Sequence, residues 1–328
     1  MTTTKAIRIH RTGGPDEMVW ENIPLGELGP GDVLLRQTAA GVNFIDVYHR
    51  TGLYPVALPS VLGMEGAGVV EAVGPDVVEV RPGDRVAYAS PPIGAYAERR
   101  LIPAHRLVAL PSDIPDRQAA GMMLKGMTAQ FLLRRTFRVT AGQTILVHAA
   151  AGGVGLLLCQ WAHHLGARVI GTVGSEEKAA LARAHGCDHP ILYTSEDFVA
   201  RVKAITGGGG GGVDVVYDSV GRTNFLGSLD CLKPMGMMVS FGQSSGAVPP
   251  FDPGLLAAKG SLFFTRPSLM TYTAQRADLV AAAADLFEVV RGGGVKIEVT
   301  QAYPLSEAAQ AHRDLEARRT TGSTILVV

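Results

Sequence analysis

Cysteine is scarce in this chain of 328 residues: Cys159, Cys187 and Cys231 are the three, and none precedes position 159. They form no C-x-x-C pair, which speaks against both a disulfide framework and a thiolate zinc site. Net charge is also lacking, since 30 Lys and Arg residues balance 30 Asp and Glu. Without a Lys/Arg run there is no basic field for nucleic acid, and a small molecule is the expected partner. Met1–Arg11 has no apolar signal core and no uncharged stretch approaches a membrane span, so no membrane partner is expected and the cytoplasm is the simplest address. No Ser-His-Asp or Cys-His order is visible, and none of the nine histidines stands in a recognisable catalytic motif. His185 and His189 flank Cys187, a trio whose ordinary reading is a loop before a strand rather than a metal site. Cys159, among Leu156, Leu157, Leu158 and Trp161, reads as a small buried apolar residue.

What is present is apolar residue, 47% of the chain, enough for two domains or one large one. The run Ala149-Ala150-Ala151-Gly152-Gly153-Val154-Gly155 joins the apolar stretch Thr144–His148 to a helical stretch beginning at Leu156. A strand, a tight glycine turn and a helix make a diphosphate site. Pyrophosphate can approach the backbone only where side chains are absent, and the N–H groups and positive end of the new helix hold its charge. The usual G-x-G-x-x-G would put glycine where Ala150 stands, so the motif alone is weak and context decides it.

The context is an alternation. Strand-like runs at Thr144–Ala149, Ala167–Thr172, Pro190–Tyr193, Val213–Tyr217, Met237–Phe241 and Ser261–Thr265 are separated by helical patterns such as Glu176–His185 and Glu196–Ile205. Six alternating strands predict a doubly wound parallel sheet of two mononucleotide-binding halves. Gly207–Gly212 reads as a slack helix-to-strand connection. The N-terminal part differs. Short runs (Asp32–Thr38, Gly68–Val73, Arg85–Ala89) separated by Gly/Pro/Asp turns predict a mostly antiparallel domain. The tail carries helices over Ala277–Val290 and Ser306–Arg318 and a last strand, Ser323–Val328. It has no sheet of its own and is expected to return to the first domain.

The chain resembles the medium-chain dehydrogenase/reductase superfamily, and within it the zeta-crystallin-like NADPH:quinone oxidoreductases, over essentially its full length. The resemblance is carried by the joint order of Gly41–Tyr48 (GVNFIDVY), Gly63–Gly68 (GMEGAG), the AAAGGVG turn, Gly171–Ser175 (GTVGS) with Lys178, Tyr217–Gly221 (YDSVG) and Phe241–Gly246 (FGQSSG). It implies a Rossmann NADPH-binding domain (126–269) inserted into a β-rich GroES-like catalytic domain (1–125 plus 270–328), an active cleft between them and a homodimer. The zinc-dependent branch carries a cysteine near Asn43 and a Gly-His-Glu triplet where this chain has Gly63-Met64-Glu65. Losing those donors implies a reductase without metal. Zinc-free quinone reductases commonly show AAAGGVG, which accommodates Ala150.

NAD-specific sites carry an acid after the second strand, roughly 20 residues past the turn. Here Gly174 and Ser175 stand there, leaving room and a hydroxyl for a 2′-phosphate, with Lys178 one helical turn on. Glu176 and Glu177 suit the first turn of a helix, facing water, and Lys178 could equally be a solvated helix lysine. The resemblance adds Tyr193 beside the same phosphate and so implies NADPH.

Asn43, Asp46 and Tyr48 follow one strand with the spacing of about one helical turn, which could turn them toward one cleft. The resemblance implies that this segment lines the nicotinamide and substrate pocket; Asp46 reads equally as a structural cap and Tyr48 as a half-buried aromatic. Tyr54 is either an aromatic wall for a flat ring or a loop tyrosine on Pro55. By resemblance, Lys125 and Thr128 lie near the nicotinamide ribose, and Ser219, Phe241, Gly242 and Ser244 belong to motifs along the cofactor. Arg266 and Arg318 either close over it or are plain surface charges. The implied activity is reduction of small quinones. Its alternatives are reduction of α,β-unsaturated carbonyls (enone, enal or enoyl thioester), with Tyr48 or solvent as proton donor, and a low-turnover NADPH-bound binding protein.

Overall fold

The computed structural model describes residues 2–207 and 211–328; Gly208–Gly210 of the glycine run lie outside them. The chain divides into two compact units. One comprises Met1–Met127, Thr273–Phe287 and Ile297–Val328, the other Thr128–Tyr272 and Glu288–Lys296.

The first unit begins with β1 (Thr3–Ile9), β2 (Val19–Pro24), β3 (Asp32–Val42), helix α1 (Phe44–Thr51), β4 (Ser60–Val61), β5 (Glu65–Val73), β6 (Arg85–Ala89), β7 (Arg99–Pro103) and β8 (Val108–Ala109), followed by α2 (Asp116–Phe131). Strand β3 is the organiser. It pairs antiparallel with β5 and β7, and its alternating exposure turns Val33 and Leu35 into a core shared with Val70, Val86 and Ile102. That alternation is the signature of an antiparallel sheet buried on one face.

The second unit contains β9 (Thr144–Val147), α3 (Gly153–His164), β10 (Arg168–Val173), α4 (Glu176–Ala184), β11 (His189–Leu192), α5 (Phe198–Ile205), β12 (Val213–Asp218), α6 (Phe225–Asp230), β13 (Leu232–Ser240), the short α7 (Gly254–Ala258), β14 (Phe263–Thr265) and α8 (Leu269–Tyr272). Its six strands are parallel, in the order β11-β10-β9-β12-β13-β14. This is the expected doubly wound sheet, whose order reverses between β9 and β12. Strand β13 starts earlier than its apolar run indicates, because a register shift on β12 lets Leu232 pair with Val213 before Met237 pairs with Val215.

The tail returns to the first unit through α9 (Arg276–Arg291), whose residues from Glu288 on group with the second unit, then β15 (Val299–Pro304), α10 (Ala308–Glu316) and β16 (Ser323–Val327). As expected, β16 joins the first sheet, antiparallel to β3 with Ile325 opposite Gly41. Strand β15, parallel to β16, is absent from the sequence reading. Its residues are all partly or fully exposed, so it lacks the apolar run that marks a buried strand.

Candidate functional site

In the first unit, the turn from β3 into α1 is built around buried carboxylates. Glu65, fully buried, accepts from the Asn43 side-chain amide at 2.8 Å, the Leu124 N–H at 2.8 Å and the Lys125 ammonium at 3.2 Å. Gly41 makes that approach possible, because a Cβ there would lie 2.1 Å from Glu65 Oε2. Asn43 caps α1, and Asp46 in its first turn accepts the Asn43 backbone N–H at 2.9 Å and the Tyr96 hydroxyl at 3.0 Å, both on Oδ2. Burial pushes the Asp46 carboxyl up to about 7 against the pull of those donors and of Lys125.

Asp46 is wholly buried. Of the two roles the sequence left open for it, the geometry displays the cap. One turn on, Tyr48 is 8% exposed and Tyr54 packs edge-on against it, ring centroids 5.1 Å apart, with its N–H on the Tyr48 carbonyl at 3.0 Å. The two tyrosines are thus brought together as one aromatic surface. Lys125 falls in the first unit and Thr128 opens the second; both are buried. Arg318 is exposed, with φ 58°, just past the end of α10.

In the second unit, the expected residues gather at the carboxyl ends of the parallel strands, where open α/β sheets bind ligands. After β9 the chain turns through Ala149 (φ 54°) into Gly152, the N-cap of α3. A Cβ on Gly155 would sit 2.2 Å from the Ala149 carbonyl oxygen, so glycine is required there. The N–H groups of Gly153, Val154 and Gly155 head the helix, where no intrahelical acceptor exists for them. Ala150 is also explained: its methyl occupies space left by Gly171 on β10, whose Cβ would come within 2.6 Å of it.

Gly174 and Ser175 follow β10. A Cβ on Gly174 would meet the Tyr193 hydroxyl at 2.7 Å, which brings Tyr193, 44% exposed, to the same corner. Ser175 caps α4 by accepting the Lys178 N–H at 3.3 Å. Its hydroxyl also holds the Glu177 carboxyl below the usual range, and Glu176 and Glu177 are both exposed. After β12 and β13 the chain is tied together: Asp218 accepts the N–H groups of Val220 and Gly221, Phe241 N–H reaches the Asp218 carbonyl, and Ser244 N–H reaches that of Ser219. Gly242 is tightly packed, its Cβ position 2.6 Å from the Ser219 carbonyl. Arg266, past β14 and exposed, reaches the Ser240 carbonyl at 3.0 Å.

Residues 29–112 match the alcohol dehydrogenase GroES-like domain family, and residues 153–287 the zinc-binding dehydrogenase family. The quinone oxidoreductase of Pseudomonas aeruginosa is 50% identical over 98% of this chain and 99% of its own. The chain belongs to the quinone oxidoreductase family of medium-chain dehydrogenases/reductases. Among other members, the 2-haloacrylate reductase of a Burkholderia species is 48% identical over 97% of both chains. A crystal structure of the Escherichia coli quinone oxidoreductase complexed with NADPH superposes with a TM-score of 0.96 at 46% identity, covering 100% of each chain.

For this quinone oxidoreductase family member, the zinc in one family's description does not fit the donors present. Asn43 donates a side-chain amide N–H to Glu65, and Met64, a buried thioether, stands at the other ligand position; neither is a thiolate or imidazole. Among the described residues no group of three His, Cys, Asp or Glu could hold a metal. The trio around Cys187 disperses: His185 Nδ1 bonds the Leu181 carbonyl, His189 bonds Arg168, and Cys187 is buried. His148 is structural, held between Thr172 and Ser228 hydroxyls at 2.9 Å each. Sequence reasoning missed the hub at Glu65, though the residue lies in a quoted motif, and gave no signal for Tyr96 or His312.

Proposed function

We propose that the protein is a zinc-independent NADPH:quinone oxidoreductase that transfers hydride to small quinones. When bound, the cofactor supplies the hydride. The observation that carries the reading is the carboxyl edge of the second unit's sheet, where a side-chain-free turn and a helix N-terminus offer N–H groups to a diphosphate. Gly152, Gly153, Val154 and Gly155 hold that diphosphate. Gly174, Ser175, Lys178 and Tyr193 form a corner suited to a 2′-phosphate, with Gly174 and Ser175 standing where an NAD-specific acid would. Ser219, Phe241, Gly242 and Ser244 line the path of the nicotinamide half, with Lys125, Thr128, Arg266 and Arg318 as its further contacts.

In the first unit, Asn43 and the Tyr48–Tyr54 surface receive the acceptor ring, and Asp46 and Glu65 fix Asn43. A quinone accepts hydride readily, so hydrogen-bond donors replace a Lewis acid at the developing oxyanion. Two copies are proposed to assemble, because β14 ends the sheet order and exposes Phe263 at its edge. Three buried, unbridged thiols suit a reducing compartment such as the cytoplasm, and among the described residues no helix is long and apolar enough to cross a membrane.

A second reading, reduction of an activated carbon–carbon double bond, is favoured by the 48% identical 2-haloacrylate reductase. Steady-state assays with NADPH against benzoquinones, 9,10-phenanthrenequinone, alkenals, crotonyl thioesters and 2-chloroacrylate decide between them. Quinone turnover with kcat/KM well above the alkenes supports the first reading; the reverse order overturns it.

A further inference from the structure

The returning tail links α10 to α1 through one line of side chains, buried from Arg50 through His312 and Tyr96 to Asp46, with Glu316 at its exposed end. Arg50, 1% exposed, makes a bidentate pair with Glu316 at 2.8 and 2.9 Å. The same guanidinium reaches His312 Nδ1 at 3.1 Å, His312 Nε2 lies 3.1 Å from the Tyr96 hydroxyl, and that hydroxyl lies 3.0 Å from Asp46 Oδ2. We propose that Tyr96 and His312 are positioning residues for the reduction, members of a one-directional hydrogen-bond chain that runs from Arg50, anchored by Glu316, to Asp46 and fixes the Asn43–Tyr48 turn. This rests on the reductase reading given above.

The direction follows from the donor inventory. A guanidinium only donates, so His312 Nδ1 must accept. Burial and Arg50 hold the imidazole neutral, down to about 3, which leaves its single proton on Nε2. That N–H donates to the Tyr96 oxygen, and the phenol must then donate onward to Asp46. Arg50 cannot give up a proton, so the chain is no proton wire to the surface. It is a scaffold: from Arg50 through His312 and Tyr96 the hydrogens point at the carboxylate that caps α1, while the two N–H bonds to Glu316 point the other way and anchor the guanidinium. The groups bearing on Asp46 are Tyr96 and the Asn43 N–H as donors, Lys125 on α2 favouring its charge and Glu65 on β5 opposing it. Its second oxygen, Oδ1, is buried without a hydrogen-bond partner among the described residues, so the Oδ2 contacts set its place.

The test compares full-length wild type with Tyr96→Phe, His312→Leu and His312→Gln. The last keeps an amide N–H close to the position of Nε2. Loss of a hydrogen bond to a charged group predicts a fall in kcat with quinone of about tenfold for Tyr96→Phe and His312→Leu, NADPH KM changing less than about twofold, and substantial recovery in His312→Gln. In parallel, the carboxylic acid infrared band of Asp46, identified by its loss in Asp46→Asn, should titrate at higher pH in Tyr96→Phe. Unchanged kcat in an active enzyme, or a band that does not move, overturns the proposal. Wild type that turns over no acceptor sinks the reductase reading and with it a positioning role in turnover, while the infrared arm still reports on the chain. If Tyr96→Phe does not fold, His312→Gln against His312→Leu carries the same comparison.

Discussion

A Cβ on Gly171 would lie 2.6 Å from the Ala150 methyl carbon: the alanine that replaces the first glycine of the dinucleotide turn fits because the next strand yields a side chain in return. The two positions are therefore coupled. Gly171→Ala should destabilise the fold by about 1–3 kcal/mol as an overpacked core substitution. Adding Ala150→Gly should recover a good part of it, though Cys187 Sγ, 2.7 Å from the same Cβ position, must still turn aside. Urea unfolding of the two single variants and the double variant measures the coupling; strictly additive costs would refute it.

Glu65→Gln tests the hub in the first unit. The substitution keeps the shape but leaves the Lys125 ammonium, 3.2 Å away and buried, without its counter-charge. Breaking a buried pair from one side costs about 3–5 kcal/mol, which chemical denaturation would read directly. A loss below about 1 kcal/mol would mean that Lys125 finds another partner.

The 2′-phosphate corner proposed after β10 makes cofactor choice testable. Lys178→Ala should lower kcat/KM for NADPH about tenfold or more and leave NADH nearly unchanged, since one charge-assisted phosphate contact supplies about 1.4 kcal/mol or more. Glu177→Gln should act the other way. It frees the Ser175 hydroxyl from a carboxylate and removes a negative charge near the phosphate, so NADPH binds more tightly. Fluorescence titration with both nucleotides checks the pair, and equal responses to NADPH and NADH would remove the assignment.

The Asp46–Tyr96–His312 line also makes a prediction about pH. Folding raises Asp46 from 3.8 to about 7, so the folded protein retains a proton that the unfolded chain releases, and stability falls as pH rises through that window. Folding lowers His312 from 6.5 to about 3. There the unfolded chain binds the proton instead, and stability falls as pH drops from 6.5 toward 3. Each effect is on the order of 4–5 kcal/mol at full extent, and between pH 4 and 6.5 they oppose each other. Relative to wild type, Asp46→Asn should gain stability as pH rises across this range, and His312→Gln should lose it. Denaturation midpoints at several pH values test the two opposite slopes; parallel profiles would contradict both.

The two readings of Asp46 show where sequence stops. Its place three residues after Asn43 makes a helix cap legible, because a cap is a local contact. That the same carboxylate meets Tyr96 is not legible, since the partner lies far along the chain in a loop with no periodic signal. Strand β15 was missed for a related reason: an edge strand with no buried side chain leaves no pattern. Cys159 and Cys187, remote in sequence, are both buried in the second unit, where Cys187 pushes the Cys159 thiol up, a meeting that spacing rules cannot foresee.

By itself the sequence determined the glycine turn and the six-strand alternation around it, and the family resemblance it carries put Asn43 and Met64, neither a thiolate nor an imidazole, at the zinc positions. These follow from local sterics, from periodicity and from donor chemistry, which are properties of neighbouring residues. Only the tertiary structure decided that Glu65 gathers Asn43 and Lys125, that Gly171 makes room for Ala150, and that His312 comes back from the tail to face Tyr96. The reason is desolvation: a buried polar group must find its partner wherever the fold brings one, and that distance in sequence is set by topology alone.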